Sequence, residues 1–210
     1  MNAAAVVYVH GLWLSGHEAF LLHRRLQEDR GYQWHSFNYA STQLKMSEIV
    51  DALQAFVARI DAPCVHLLGH SMGGIAIMRF MERQPQFPPG RVVFMGTPVL
   101  ASRAATSVAR LMLGRMLLGH AATDELLYAH ERRWQSEREL GLIAGTQSFS
   151  FGRLIANFDE DNDGTVAVSE TRLPGAKAHL TLPVNHLGML LSARVAQEVG
   201  SFMENGHFTV

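Results

Sequence analysis

Residues 69–74 read Gly-His-Ser-Met-Gly-Gly, directly after the apolar run 64–68 and directly before the helical pattern 75–81. A serine with glycine two places before it and two places after it marks a tight turn from a buried strand into a helix. The backbone at such a serine is strained, and strand and helix pass so closely that side chains at 69 and 73 find no room. A chain with this turn must hold a strand that ends at a sheet edge and a helix that packs back across it. The turn lifts the Ser71 hydroxyl above that edge and aims the Met72 main-chain N–H into the space beside it. Ser71 is therefore the candidate nucleophile.

The rest of the chain repeats the same theme. Short β-branched and aromatic runs recur at 6–10, 32–39, 64–68 and 91–95, with two more at 142–145 and 178–184. Between them lie helical patterns, such as 47–60 with Ile49, Leu53, Phe56 and Val57 on one face, and a last helix with Leu191, Val195, Val199 and Phe202 at helical spacing. Strands that alternate with helices predict an α/β fold with a mostly parallel sheet of about six strands, flanked by helices. The exception is 100–139, a helical insertion rich in Leu, Met and Arg, which is expected to cap the carboxyl edge of the sheet. With 210 residues, 48% of them hydrophobic, the chain is expected to form one domain, 1–210, with that cap inside it.

Charge excludes some partners. Lys+Arg 18 against Asp+Glu 19 leaves a formal net charge of -1, which gives no footprint for nucleic acid or an anionic membrane. The most apolar helical stretch, 111–118, is interrupted by Arg115 and is too short to span a bilayer. The amino terminus lacks a basic segment, so no secretory signal is expected and a cytoplasmic location is. Cys64, the single cysteine, reads as a small buried hydrophobe suited to a reducing compartment.

A serine hydroxyl is a poor nucleophile near neutral pH unless a histidine takes its proton, and the chain has 11 histidines. In a turn of this kind the order is serine, acid, histidine, with the last two on loops after late strands. His186 lies just past the last predicted strand, whereas His179 lies near its start and His207 in the terminal tail. His66 and His120 read as a strand and a surface histidine. The acid then falls in 159–166, where Asp163 fits best: Gly164 permits a sharp turn and Val166 anchors it, with Asp161 and Glu170 as fallbacks. Its task would be to hold the His186 tautomer. At the end of the first strand, His10-Gly11-Leu12 places a second main-chain N–H, that of Leu12, opposite Met72, with Trp13 behind it. Two such donors form an oxyanion hole. His10 itself reads as a loop-holding residue. Leu111, Leu113, Met116 and Leu117 in the cap, with Trp13, are the candidate substrate contacts, and the cap leucines serve equally well as packing.

Asp159, Asp161, Asp163, Gly164, Val166 and Glu170 also match the spacing of an EF-hand calcium loop. Such a loop needs a helix on each side and a partner loop. Pro174 and Gly175 interrupt the exit, and no second loop of the kind occurs in the sequence. No metal and no organic cofactor is expected.

Taken together, Val-His-Gly-Leu at 9–12, Gly-His-Ser-Met-Gly-Gly at 69–74, Asp-Gly-Thr-Val at 163–166 and Asn-His at 185–186 resemble the α/β-hydrolase superfamily over nearly the whole chain. Within it the chain looks like the compact bacterial lipases and esterases. The resemblance implies hydrolysis of a carboxylic ester through an acyl-enzyme on Ser71, with a small-molecule ester of apolar acyl group as substrate. Thioesterase or amidase activity on the same residues, or a hydrolase fold that only binds, are the alternatives. The 100–139 insertion departs from a minimal lidless lipase.

Overall fold

The computed structural model describes residues 3–100, 114–126, 132–148 and 159–209. Its centre is a six-stranded sheet in the order β2-β1-β3-β4-β5-β6. The strands are β1 (Ala5–Val9), β2 (Gln33–Phe37), β3 (Val65–His70), β4 (Val92–Met95), β5 (Leu140–Gly145) and β6 (Ala178–Leu182). Every neighbouring pair is parallel. This agrees with the alternation of strand and helix patterns, and strand bounds differ from the sequence expectation by one or two residues at most ends.

Successive side chains of a strand point to opposite faces, and the two faces have different covers. Val7, Val9, Leu67, Phe94 and Leu142 join one core with α2 (Met46–Val57), α3 (Met72–Glu82) and α4 (Gly114–Leu126). Val6, Tyr8, Leu68, Val93 and Ile143 join the other with α1 (Phe20–Arg30), α5 (Gly188–Leu191) and α6 (Ala193–Asn205). Helix α2 buries Met46, Ile49, Val50, Leu53 and Val57, a stripe at helical spacing, and leaves the expected Phe56 half-buried at its margin. Among the described residues no helix is long and apolar enough to cross a membrane.

Two expectations change. The last helical pattern is two helices: Ser192 is extended (φ -80°, ψ 125°) and its side chain accepts from Val195 N, which starts α6 afresh. Leu191 therefore ends α5 and is 54% exposed instead of joining Val195, Val199 and Phe202 in the core. Cys64 is half-buried, because it stands just before β3, with its Sγ 3.3 Å from His66 Nε2. His120 is exposed on α4, as expected of a surface residue.

Of the insertion, α4 is described, with a non-helical turn at Gly119 (φ 76°, ψ 178°). Leu118, Ala121, Ala122 and Leu126 pack it into the α2–α3 core. At the turn it lies against the main chain of Thr42, in the loop after β2. Glu125 accepts from Arg79 Nε and Nη2, both at 3.0 Å, and from Arg132 Nη2 at 2.6 Å. Arg132 also donates to Val99 O at 2.9 Å, which ties the far end of the insertion to its start. Leu111 and Leu113 lie outside the described residues, as do the side chains of Met116 and Leu117 on α4.

Candidate active site

Ser71 stands between the last residue of β3 and the first of α3, with φ 55° and ψ -127°, a region that side chains other than glycine rarely enter. Its N–H donates to Met95 O at 2.9 Å, at the end of β4. The crowding inferred from sequence is present: a Cβ on Gly73 would stand 2.0 Å from Val9 O, and one on Gly69 would stand 2.5 Å from Gly74 Cα. The serine is thus held at the carboxyl edge of the central strands.

Asp163 and His186 meet at the same edge. Asp163 is 2% exposed, and its Oδ1 accepts from Thr165 N at 2.9 Å and Val166 N at 2.7 Å. Its Oδ2 accepts from His186 Nδ1 at 2.7 Å, while His186 N donates to Asp163 O at 2.9 Å. A carboxylate oxygen accepts only, so Nδ1 carries the proton and Nε2 keeps a free lone pair. Asn185 Oδ1 accepts from Gly188 N at 2.7 Å and turns the chain into α5 behind the imidazole. Both oxygens of Asp163 are turned inward, an arrangement unlike an open calcium loop. Asp161 is exposed, and Glu170, buried, accepts from Ala167 N at 3.1 Å.

The loop after β1 approaches from the other side. A Cβ on Gly11 would lie 2.9 Å from Ser71 Cβ, so residues 11 and 12 run against the serine. Leu12 is half-buried, and Trp13 is 60% exposed with a left-handed backbone, φ 62°. His10 has no exposed surface: Nδ1 donates to Gly11 O at 2.8 Å, Nε2 accepts from Tyr39 N at 3.3 Å, and the ring stacks on Tyr39 with centroids 4.2 Å apart. Burial pulls its pKa down. It therefore holds the loop.

Three residues escaped the sequence reading. Ser41 Oγ accepts from Trp13 N at 3.0 Å. Glu18 accepts from Tyr8 Oη at 3.0 Å, from Gly16 N at 2.8 Å and from Ser15 N at 3.2 Å, so one carboxylate gathers that loop. His70 is fully buried beside the serine; its Nε2 lies 3.0 Å from His186 O, and the two rings are 4.7 Å apart between centroids, tilted by 43°. Burial first, then the charges of His186 and His10, lower its pKa to about 3. A glutamate three places beyond Ser15 was the signal available for Glu18; nothing in the sequence marks Ser41.

A cavity of about 840 Å³ opens at the opposite edge, lined by Tyr32, Cys64, His66, Arg91 and Glu139 among others, and none of Ser71, Asp163 and His186 borders it.

The profile of the Alpha/beta hydrolase family matches residues 6–198. The mature form of the Bacillus licheniformis lipase BlEst2 superposes with a TM-score of 0.74 at 20% identity, over 99% of this chain and 93% of that one. The metagenomic carboxyl esterase MGS0156 gives 0.64 at 16% identity, over 90% and 66%. The carboxylesterase CesB of Bacillus subtilis gives 0.61 at 13%, over 98% and 85%. At these identities the likeness is one of fold. No curated protein sequence matches the chain.

Proposed function

The chain belongs to the alpha/beta hydrolase family, and from that premise we propose that it is a serine hydrolase that cleaves carboxylic esters through an acyl-enzyme on Ser71. The observation that carries this reading is the 2.7 Å bond between His186 Nδ1 and Asp163 Oδ2, on loops that converge beside the strained serine turn.

In this mechanism Ser71 Oγ attacks the ester carbonyl carbon while His186 Nε2 takes the hydroxyl proton. The carbonyl π electrons move to oxygen, and the N–H groups of Leu12 and Met72 stabilise that oxyanion, each worth about 3 to 4 kcal/mol in comparable enzymes. Collapse of the tetrahedral species breaks the bond to the alcohol oxygen, which leaves with the proton from His186. Water then attacks the acyl-serine, again giving its proton to His186, and the acid departs as the serine is reprotonated. Asp163 holds Nδ1–H throughout and balances the imidazolium that forms twice per turnover. The chemistry requires no metal or organic cofactor.

The chain is read as one domain, with Trp13 at the rim of the site; of the 100–139 insertion expected to cap it, α4 packs on α2 and α3, and Glu139 lines the cavity at the opposite edge. An apolar acyl group suits the exposed Trp13, on the loop whose Gly11 runs against the serine. The lipase and carboxylesterases that share the fold act on esters, as their names state, which supports an ester as substrate here.

A panel of p-nitrophenyl esters of increasing chain length tests this. Ser71→Ala and His186→Ala are expected to lower kcat by about 10⁶-fold, and Asp163→Asn by about 10⁴-fold, as in comparable triads. Higher rates on matched thioesters or amides than on the oxygen ester would move the assignment to a thioesterase or amidase. No fluorophosphonate adduct on Ser71 in folded protein would favour a hydrolase fold that only binds.

A further inference from the structure

We propose that His70 is a positioning residue: it donates from Nε2 to the main-chain carbonyl of His186 and so pins the base to the serine turn. The inference rests on the reading of Ser71 and His186 given above and adds to it a third point of attachment for the base. His186 N donates to Asp163 O at 2.9 Å, and its Nδ1 donates to Asp163 Oδ2 at 2.7 Å. Both of those bonds tie it to one loop. The bond from His70 Nε2 to His186 O, at 3.0 Å, is the one that ties it to the residue adjacent to Ser71.

The proton inventory of His70 follows from its partners. A carbonyl oxygen only accepts, so Nε2 must carry the hydrogen, and in a neutral imidazole Nδ1 is then a bare acceptor. Among the described residues Nδ1 has no hydrogen-bond partner, and it lies 3.4 Å from where a Cβ on Gly11 would stand. The ring therefore fills the gap between the loop after β1 and the loop that bears the base. It is not a second base, because one nitrogen is engaged and the other is sealed from solvent.

Neutrality is part of the role. His186 becomes positive in each half of the reaction, and a cation with its ring centre 4.7 Å away would oppose that charge. Burial keeps His70 uncharged across the neutral range, with His186 and His10 as the titratable groups that act on it and Asp163 on the other side of His186.

The experiment compares wild type, His70→Phe and His70→Gln in p-nitrophenyl acetate hydrolysis and in the rate of fluorophosphonate labelling at Ser71, with circular dichroism to verify folding. Phenylalanine keeps a ring and removes the donor; glutamine restores a donor. His70→Phe is expected to lower kcat by about 100-fold with KM nearly unchanged, the size of loss that a displacement of about 1 Å causes. His70→Gln is expected to recover at least about tenfold of that loss. If His70→Phe does not fold, His70→Asn, whose amide stops short of the carbonyl, takes its place. Wild-type kcat in the donorless variant, a glutamine variant as slow as it, or a loss confined to KM would overturn the positioning role while leaving the serine hydrolase intact. A wild-type protein that neither hydrolyses the ester nor takes the label would overturn the reading of the site, and this role with it.

Discussion

Gly96, just past β4, has φ +55°, and a Cβ there would stand 3.0 Å from Asp163 Oδ2 and 3.0 Å from His186 Nδ1. Gly96→Ala is expected to fold, with a penalty of about 1 to 2 kcal/mol for a left-handed alanine, yet to lose most of its kcat as the methyl parts the carboxylate from the imidazole. A thermal melt set beside ester turnover checks this, and an alanine variant with parental kcat would mean that the pair tolerates the intrusion. The contact between Asp163 and His186 is one to which chain order points, since both follow late strands and a glycine lets the chain turn at 164. His70 was written inside the motif but carried no message there. Its partner is a main-chain carbonyl 116 residues away, and side-chain patterns are silent about carbonyls. The same holds for Ser41, whose partner is the N–H of Trp13.

Helix α4 depends on a buried cluster of ions. The Arg132 side chain is 2% exposed and that of Glu125 9%, so removing one partner strands the other charge in the interior. Glu125→Ala is expected to cost about 3 to 5 kcal/mol, and the double variant Glu125→Leu with Arg132→Met clearly less than the single one. Melting temperatures of wild type and the two variants decide it; a double variant that loses as much as the single one, or more, would show that the stranded Arg132 charge is not the source of the cost. The sequence marked 100–139 as a helical, Leu-rich cap for the carboxyl edge of the sheet, but gave no sign that Leu118, Ala121 and Leu126 would join the core with α2 and α3. Strands β1 and β4 read well because they are buried on both faces and so appear as unbroken apolar runs. The break at Ser192 did not, since Leu191 keeps the spacing of the helix that it precedes. A capping hydroxyl decides that boundary, and periodicity does not register it.

For the molecule as a whole, two buried histidines make folding sensitive to acid. His66, 4% exposed, has its pKa lowered to about 4 by burial first and by Arg91 and Arg138 after it; that of His70 is lowered to about 3. Above pH 6.5 both are neutral folded or unfolded, and they have no effect on stability. Below it the unfolded chain binds protons that the folded one refuses, so stability falls with pH until the folded values are reached. At pH 5 the loss is about 2 kcal/mol for each. Urea titrations at pH 7.5 and pH 5 measure it, and equal unfolding free energies at the two would contradict the burial of these rings. The parallel sheet itself was foreseeable from the rhythm of the chain, which fixes both faces and leaves one edge for chemistry. At that edge Ser71 is bent to φ 55° and ψ -127°, angles in which a residue without a side chain would rest more easily. Sturdiness and the proposed chemistry are thus set against each other at one position: a glycine that let the chain relax there would also take away the hydroxyl on which the proposed mechanism depends.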